Sequence, residues 1–403
     1  MKILQVHNEY RQRTGEHRVV TAERAALRAA GHTVTTAGRD NRELDQGSPV
    51  RTLRLLLAAF GGGPASRLIA AAVRRDTPDV AHVHNVYPLL TPQVYRALAA
   101  CRVPIVQTVH NFRFWCPCGT LYHRGRVCEA GVGKPWIAVR DRCFRHSAGL
   151  TGWYAMMTAF YRRRGAFAAI DTYIAPSAFV REKMVAFGIP ADRVVVKPHF
   201  LPDTAPPAGH ERGAAPYALF VGRLDRYKGV QTLIESWRRL ADERGEPRLH
   251  VIGGGPLEAG LRARAGRAVR FLGAQDAVAT ARELAGCRLV VVPSECYETF
   301  GLVVLEAFRA GKPVVASRIG ALPGLVEEGR GGLLFEPGNA GDLARAVSAL
   351  WNDSERCAAV GRHNRHTFEQ EYTQGRNVDR LVDLYTETIA RARTAHADPR
   401  CTP

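Results

Sequence analysis

The chain has 403 residues, of which 46% are hydrophobic and 23% are charged, a composition typical of a globular protein. Its length exceeds what one ordinary core needs and favours two domains of about 200 residues each. No run of 18 apolar residues occurs, so no membrane-spanning segment is predicted.

The formal charge of +18 comes mainly from arginine, since only six of the 56 basic residues are lysine. A generally basic surface and a face for an anionic membrane are both compatible with this charge. The basic residues are densest in the first half, at 11–13, 140–145 and 162–164. The sequence contains no zinc-finger, RNP-like or helix-turn-helix pattern, so nucleic acid is not an expected partner.

The first half alternates short apolar runs with helical patterns, which is typical of a parallel sheet with crossover helices. Strands are predicted at residues 3–7, 32–37, 80–84, 105–109, 172–175 and 194–197. Helices are predicted at residues 19–30, 51–60, 66–74, 92–100 and 178–187. The N-terminus has the pattern of a first strand and not of a signal peptide, which predicts a cytoplasmic protein.

Between residues 111 and 150 the periodic pattern breaks down, and a loop of this length is usually functional or mobile. Four cysteines cluster there with two histidines: Cys116, Cys118, Cys128, Cys143, His123 and His146. The spacing matches no standard zinc finger, so a structural zinc site and free thiols both remain open. Nine cysteines without an export signal indicate reduced thiols.

Residues 198–215, rich in proline and glycine, predict a domain boundary. A second alternation follows, with strands at 217–221, 249–252, 269–272 and 289–292 and helices at 231–241, 257–265, 277–285, 302–310, 340–350 and 355–368. We therefore expect two α/β domains, 1–200 and 201–374, and a final amphipathic helix at about 375–392.

The segment from Glu298 to Glu306 is the most informative part of the sequence. It follows the apolar run at 289–293 and leads into a helix that Gly311 ends, which predicts a strand, a turn and a helix start. Such a turn presents backbone N–H groups to an anionic ligand, and Gly301 lets that ligand approach the main chain. Two carboxylates at a phosphate site are explained if they accept hydrogen bonds from sugar and ribose hydroxyl groups.

Two glutamates in this context, with a Phe-Gly pair between them, resemble the motif of the retaining glycosyltransferases of family 4. The resemblance continues at residues 307–317, 331–338 and 221–229, and it extends more weakly over the first half. It implies the GT-B fold, in which two doubly wound Rossmann-like domains face a central cleft. The last amphipathic helix would cross back onto the first domain.

The resemblance also assigns roles to residues of the second domain. Arg223 and Lys228, beside Gly222, would hold and neutralise the leaving diphosphate, although two solvated surface charges are the alternative. Glu298 would lie at the donor sugar, with Glu295 as a competitor for that role. Glu306 would bind the ribose, and the remaining donor contacts would come from the backbone of Phe300, Gly301 and Leu302.

In the first domain the family has a Thr-x-His at the position of His110, and this histidine contacts the donor sugar. A structural histidine at a strand end is the alternative. His82 and His84 would share one face of their strand, with His84 nearer the cleft. Gly15 lies where the family usually has a glycine pair near the donor phosphates, but here Thr14 precedes it.

We therefore expect a hexosyltransferase that moves a sugar from a nucleoside diphosphate sugar to an acceptor hydroxyl with retention. The resemblance implies that neither a metal nor another cofactor is needed, which agrees with the absence of an Asp-x-Asp motif. A sugar-phosphate synthase of the same fold and a non-catalytic binder of nucleotide sugars or glycolipids are the alternatives. The acceptor, the sugar and the choice between UDP and GDP stay open, as does a peripheral contact with the inner face of an anionic membrane.

Overall fold

The computed structural model describes residues 1–10, 15–44, 57–61, 63–203, 216–240 and 247–397, so most of the predicted helix at 51–60 lies outside the described residues. The chain divides into two compact units. The first contains Met1–Gly119, Ala130–His199 and Gln374–Pro403. The second contains Thr120–Glu129 and Phe200–Thr373, so residues 120–129 and Phe200, which the sequence analysis assigned to the first domain, belong to the second unit.

The strands are numbered along the chain. They are β1 (Lys2–Glu9), β2 (Thr33–Asp40), β3 (Val80–Val83), β4 (Ile105–Thr108), β5 (Tyr122–His123), β6 (Arg126–Val127), β7 (Thr172–Ala175), β8 (Val194–Val196), β9 (Tyr217–Val221), β10 (Arg248–Ile252), β11 (Val269–Gly273), β12 (Leu289–Val292), β13 (Val314–Ser317) and β14 (Gly332–Phe335).

The described helices are numbered in the same way. They are α1 (Gly15–Ala29), α2 (Pro64–Asp76), α3 (Gln93–Ala100), α4 (Pro135–Arg140), α5 (Ala148–Arg163), α6 (Ala178–Ala186), α7 (Val230–Leu240), α8 (Glu258–Arg264), α9 (Ala277–Gly286), α10 (Leu302–Arg309), α11 (Leu322–Leu325), α12 (Ala340–Trp351), α13 (Ser354–Glu371) and α14 (Gln374–Ala397). None of them is long and apolar enough to cross a membrane.

The first unit is built on a six-stranded parallel sheet in the order β2-β1-β3-β4-β7-β8. The strand order reverses between β1 and β3, as expected of a doubly wound sheet. Helix α14 packs in this unit, where the Tyr385 hydroxyl lies 2.7 Å from His82 Nδ1 and the Thr388 hydroxyl lies 2.8 Å from that of Thr172. Both contacts are buried, so the last helix is part of the core of the first unit.

The second unit has a six-stranded parallel sheet in the order β11-β10-β9-β12-β13-β14. Helices cover both faces of this sheet and form two apolar clusters, one around Trp237 and the other around Phe308. The order reverses between β9 and β12, so the loops that follow these two strands begin side by side. The antiparallel hairpin of β5 and β6 belongs to this unit.

The irregular loop predicted at 111–150 contains more regular structure than expected. It includes the hairpin, helix α4 and the start of α5, whose N-terminus is capped by the Ser147 hydroxyl, which accepts a hydrogen bond from the backbone N–H of Leu150 at 3.2 Å. Helix α5 continues to Arg163. Gly149 and Gly152 lie in the first turns of α5. Glycine has a low helix propensity, so the sequence here does not predict a helix. In the fold, packing of the buried side chains of α5 stabilises the helix.

Candidate functional site

The loops after β9 and β12 meet at the point where the strand order of the second sheet reverses. Gly229 has a φ of 68°, and a Cβ atom at this position would lie 1.7 Å from the carbonyl oxygen of Pro293. Only glycine fits both this left-handed conformation and this close approach. The Gly229 backbone therefore brings Lys228 next to the loop that carries Glu298.

Lys228 and Glu298 form an ion pair in which Lys228 Nζ lies 2.5 Å from Glu298 Oε1. The same carboxylate oxygen accepts a hydrogen bond of 2.6 Å from the buried Ser294 hydroxyl. Burial opposes ionisation of Glu298, but the Lys228 ammonium and the two hydrogen bonds hold the pKa of Glu298 below its ordinary value. Burial likewise opposes a charge on Lys228, yet the Glu298 carboxylate raises the lysine pKa. Both groups are therefore charged near neutral pH.

Gly320 determines the backbone position of Glu298 and was missed in the sequence. It has a φ of 61°, and a Cβ atom there would lie 2.6 Å from the backbone nitrogen of Glu298. The next residue, Ala321, donates its N–H to the Glu298 carbonyl at 2.9 Å. Gly320 lies well outside the Glu298–Glu306 segment, so only its left-handed conformation in the fold reveals its role.

Glu295, the predicted competitor of Glu298, is engaged elsewhere. Its carboxylate accepts hydrogen bonds from the hydroxyl groups of Thr232 at 2.7 Å and Tyr122 at 2.9 Å. Its backbone N–H donates to the Tyr227 carbonyl at 2.9 Å. Glu295 thus ties the β12 loop to helix α7 and to the β5–β6 hairpin, whereas Glu298 lies against Lys228.

Arg223 follows β9 and is half exposed, with 51% of its side-chain surface accessible. Its Nε lies 3.2 Å from Asp225 Oδ2, and Asp225 also caps the short turn that leads to Lys228. Gly222 donates its N–H to the Ile252 carbonyl at 3.0 Å, and a Cβ atom there would lie 3.0 Å from the Phe220 ring. Both predicted cations therefore lie in the loop at the carboxyl end of β9.

The remaining donor-binding candidates lie at the start of α10. Gly301 has a φ of 98° and precedes the helix, whose first residue is Leu302. The first N–H groups of a helix have no acceptor within it and are available to a ligand. The Phe300 side chain packs in the core, 6.2 Å from the Tyr372 ring, so only its backbone can serve a ligand. Glu306 is 4% exposed one turn into the helix.

His110 follows β4 in the first unit and is partly exposed. Its ring is nearly parallel to those of His84 and His199, at centroid distances of 5.2 Å and 5.3 Å, and its Nε2 lies 3.0 Å from His84 Nδ1. His82 and His84 lie on the same face of β3, as predicted, with ring centroids 4.1 Å apart. Gly15 is the exposed first residue of α1, and residues 11–14 before it lie outside the described part of the chain.

Two family models match the chain, "Glycosyltransferase Family 4" over residues 14–205 and "Glycosyl transferases group 1" over residues 215–353. Together they span most of the chain and include the Lys228–Glu298 site. The chain belongs to the group 1 glycosyltransferases. Its two Rossmann-like units are of the GT-B type.

Curated relatives of this glycosyltransferase match over part of their length. The O-antigen chain mannosyltransferase C of Escherichia coli is 32% identical over 43% of this chain and 47% of its own. A D-inositol 3-phosphate glycosyltransferase of Geodermatophilus obscurus is 34% identical over 55% of this chain and 50% of its own. The glycogen synthase of Thermus thermophilus is 44% identical over 34% of this chain and 32% of its own. The matched segment thus spans half or less of each of these relatives.

Solved structures share the fold over nearly the whole glycosyltransferase chain. The sucrose-phosphate synthase of Thermosynechococcus elongatus has a TM-score of 0.72 at 19% identity and covers 97% of this chain and 99% of its own. Anabaena HepE in complex with UDP-glucose has a TM-score of 0.67 at 18% identity. The match covers 96% of this chain and 100% of the HepE chain. At this identity the likeness concerns the fold.

The described residues of the glycosyltransferase hold one group whose side chains are close enough to share a metal: Glu23, His82 and His84 in the first unit. This group does not fit a cation. Lys197 Nζ lies 2.9 Å from Glu23 Oε1 and supplies the positive charge. Both ring nitrogens of His82 already have partners, the hydroxyl groups of Thr108 and Tyr385, each at 2.7 Å.

The cysteines proposed as zinc ligands form no such group within the described residues. Cys116 Sγ lies 3.1 Å from Cys118 Sγ, and none of the four cysteines forms a disulfide. Tetrahedral zinc needs three or four converging ligands, so a pair of thiols is not a structural zinc site.

Proposed function

We propose that the enzyme transfers a sugar from a nucleoside diphosphate sugar to a hydroxyl group of an acceptor, with retention and without a metal ion. The observation that carries the proposal is the Lys228–Glu298 pair at the strand reversal of the second sheet. A cation beside a carboxylate suits a ligand that combines a diphosphate with a polyhydroxylated sugar. The fold-level likeness to a structure in complex with UDP-glucose supports this donor class.

Lys228 and Arg223 would neutralise the diphosphate as it leaves. The Lys228 ammonium has three N–H donors and can keep its bond to Glu298 while it binds a phosphate oxygen. Arg223 is half exposed and can reach a second phosphate oxygen. Two fixed positive charges would then do what a divalent cation does in other phosphate sites, which is why we propose that no metal is required.

The remaining residues would orient the donor. Glu298 remains ionised and would accept hydrogen bonds from sugar hydroxyl groups, and Glu306 would accept them from the ribose. The N–H groups at Gly301 and Leu302 would bind the diphosphate at the start of α10. In this arrangement no side chain is assigned as nucleophile. The bond from the anomeric carbon to the diphosphate breaks while the acceptor oxygen bonds on the same face, and the leaving diphosphate takes the acceptor proton.

A surface of the first unit suits an anionic membrane, and we propose a cytoplasmic enzyme that works at the inner face of one. Trp136 on α4 is 61% exposed, with the Arg140 guanidinium 5.8 Å from its ring centre, and Met156 on the adjoining α5 is 58% exposed. Six arginines on α4, on α5 and in the turns after these helices are exposed: Arg140, Arg142, Arg145, Arg162, Arg163 and Arg164. Tryptophan and arginine favour the headgroup region of anionic bilayers.

The first test is thermal stabilisation of the purified protein by UDP and by GDP, each with and without EDTA. We expect one nucleotide to raise the melting temperature, with no effect of EDTA and with loss of the shift in Lys228→Ala. Lys312→Ala, at a partly exposed lysine outside these loops, serves as the matched control and should keep the shift. Stabilisation that EDTA abolishes would contradict metal independence, and no shift with either nucleotide would contradict a UDP-linked or GDP-linked donor.

Slow hydrolysis of the corresponding nucleotide sugar then separates an enzyme from a binding protein. The anomeric configuration of the transfer product, read by NMR coupling constants, tests retention. Assays with phosphorylated and unphosphorylated sugar acceptors separate the sugar-phosphate synthase alternative from the transferase proposed here, because only the former requires the phosphate.

A further inference from the structure

We infer that Ser294 is a positioning residue: it holds one carboxylate oxygen of Glu298, so that the other, Oε2, is the atom that faces the donor sugar. This role rests on the proposed function, in which Glu298 accepts hydrogen bonds from sugar hydroxyl groups. Ser294 and Glu298 lie in the loop after β12, and their common neighbour Lys228 lies in the loop after β9. All three belong to the second unit.

The close approach of these two loops places an ammonium group and a hydroxyl group on the same carboxylate oxygen. Lys228 precedes Gly229, which packs against the carbonyl oxygen of Pro293. Ser294 is the next residue after that proline. Lys228 Nζ lies 2.5 Å and Ser294 Oγ lies 2.6 Å from Glu298 Oε1. A carboxylate only accepts hydrogen bonds, so the single O–H of Ser294 donates, and Oε1 has two donors.

The second oxygen of Glu298 has different surroundings. Within the part of the chain that the structure describes, no donor lies within hydrogen-bonding distance of Oε2, and 14% of the Glu298 side chain remains accessible. An ionised carboxylate oxygen has two lone pairs that can accept hydrogen bonds. The two contacts at Oε1 limit rotation of the carboxylate, so Oε2 is the atom of Glu298 that is available to a ligand.

Ser294 holds the carboxylate more firmly than Lys228 does. The Ser294 side chain is buried, and a single torsion angle places its oxygen. The Lys228 ammonium is placed by four torsion angles, and 27% of its side chain is accessible. Lys228 would also bind the leaving diphosphate, which competes with Glu298 for the ammonium. When the ammonium moves toward a phosphate oxygen, the hydrogen bond from Ser294 keeps Glu298 in place and opposes its protonation.

Glu298→Gln should reverse the hydrogen-bonding property of the atom that faces the ligand. Lys228 and Ser294 both donate, so the amide oxygen of the glutamine takes the place of Oε1 and its NH₂ group takes the place of Oε2. The wild type offers an acceptor to the sugar, and the variant offers a donor. A sugar hydroxyl group can pair with either, whereas a fluorine atom in its place cannot donate.

The first test follows the Glu298 carboxyl by ¹³C NMR of the full-length protein labelled at the glutamate δ-carbons, with Glu298→Gln to assign its signal. Ser294→Ala removes one hydrogen bond to the carboxylate and should raise the pKa of Glu298 above its wild-type value. Ser294→Thr keeps a hydroxyl group and should leave the titration close to that of the wild type. Ser294→Cys has a similar shape and a weak donor, so it should also raise the pKa, which covers the case that Ser294→Ala does not fold.

Ser236→Ala is the matched control, because Ser236 is a buried serine of the same unit whose hydroxyl group donates to the Leu233 carbonyl. It should leave the Glu298 titration unchanged. A wild-type titration of Glu298 in both Ser294→Ala and Ser294→Cys would overturn the inference. The titration does not depend on turnover, so this result is distinct from failure of the proposed function.

Donor hydrolysis provides the second readout. Ser294→Ala should lower kcat about tenfold, the effect of one lost hydrogen bond to a charged group, and should change KM by no more than a few-fold. In a Glu298→Ala background it should have no further effect, because no carboxylate is left to position. Full additivity of the two substitutions, or an unchanged kcat in Ser294→Ala, would contradict the positioning role.

Monodeoxyfluoro analogues of the hydrolysed nucleotide sugar, one for each sugar hydroxyl group, test which atom of Glu298 faces the ligand. The wild type should bind one of these analogues about tenfold more weakly than the parent compound, because the fluorine atom cannot donate to Oε2. Glu298→Gln should bind that analogue and the parent equally well. The same preference for the parent compound in both proteins would contradict the assignment of Oε2.

Discussion

The Tyr122 hydroxyl donates a hydrogen bond of 2.9 Å to Glu295 Oε2, across 173 residues of sequence. The Thr232 hydroxyl donates to the other carboxylate oxygen, Oε1, at 2.7 Å. Both oxygens of Glu295 therefore have hydrogen-bond partners within the second unit. Glu298, three residues later, faces Lys228 instead. Two glutamates of one loop therefore have separate contacts: Glu295 joins loops of the second unit, and Glu298 pairs with Lys228.

This division predicts opposite phenotypes for two isosteric substitutions. Glu298→Gln should lower kcat about 100-fold at saturating donor, because it removes the charge beside Lys228 and the sugar. Glu295→Gln should keep kcat within a few-fold but lower the free energy of unfolding by about 1–3 kcal/mol, since it weakens two charge-assisted hydrogen bonds. Initial rates and thermal unfolding measure both effects. A loss of kcat in Glu295→Gln as large as in Glu298→Gln would contradict the assignment.

Glu306 is expected to act on the ribose and not on the fold. Glu306→Ala should weaken nucleotide binding about tenfold to 100-fold, the effect of one or two lost hydrogen bonds to a carboxylate, while the melting temperature without ligand stays within a few degrees. Calorimetry with the nucleotide and with its 2′,3′-dideoxy analogue gives a sharper test. The wild type should prefer the ribonucleotide, and the variant should bind both equally. Wild-type affinity in Glu306→Ala would exclude the ribose role.

Glu16 should make stability depend on pH. Burial raises the pKa of this carboxyl to about 8, against the opposing effects of Arg113 and Asn111. Its neighbour His7, with Nδ1 3.7 Å from Glu16 Oε1, stays neutral because burial lowers its pKa to about 4. Between pH 4.5 and 8 the folded protein holds a proton on Glu16 that the unfolded chain has lost. The contribution of Glu16 to the free energy of unfolding therefore falls as pH rises through this window.

Glu16→Gln cannot titrate, so its free energy of unfolding relative to the wild type should increase from about pH 5 to pH 8 and be level outside that window. Denaturant unfolding at several pH values measures the difference. Gln275→Ala, at an exposed glutamine of the second unit, is the control: neither residue titrates, so its difference should not change with pH. A constant difference for Glu16→Gln would mean that the carboxyl is ionised throughout.

The proposed membrane surface predicts binding to anionic vesicles. Sedimentation with phosphatidylglycerol vesicles should retain the protein, neutral phosphatidylcholine vesicles should not, and salt should weaken the binding. Trp136→Ser should reduce the vesicle affinity about tenfold. Val278→Ser is the matched control, because it also removes an exposed apolar side chain, 62% exposed and in the second unit. It should not change the vesicle affinity. Equal binding to both vesicle types would contradict the proposal.

Much of the fold follows from the sequence because buried parallel strands are short, apolar and separated by helical patterns. Residues 217–221 and 289–292 were predicted as strands and form β9 and β12 with the same bounds. The region after Asn111 was not predicted, because its elements depend on distant partners. Helix α5 contains two early glycines, and the two-residue strands of the hairpin are too short for any periodicity.

The candidate site likewise contains residues that could be predicted from the sequence and residues that could not. Arg223, Lys228, Glu298 and Glu306 could be chosen as candidates because the family resemblance rests on short motifs that contain them, each after a strand. Ser294, Gly320, Thr232 and Tyr122 could not, because their importance arises only where loops from different parts of the chain meet. The contact between His84 and His110 was also unpredictable, since it joins two strands whose adjacency depends on the sheet order.

The chain passes between the two units four times, after Gly119, Glu129, His199 and Thr373. Recombination of two family members at residue 200 would therefore join a hairpin from one parent to the loops of the other. Tyr122 and Glu295 would then come from different parents, and their hydrogen bond would be kept only by coincidence. Chimaeric enzymes with exchanged donor domains should take residues 120–129 and 200–373 from the same parent.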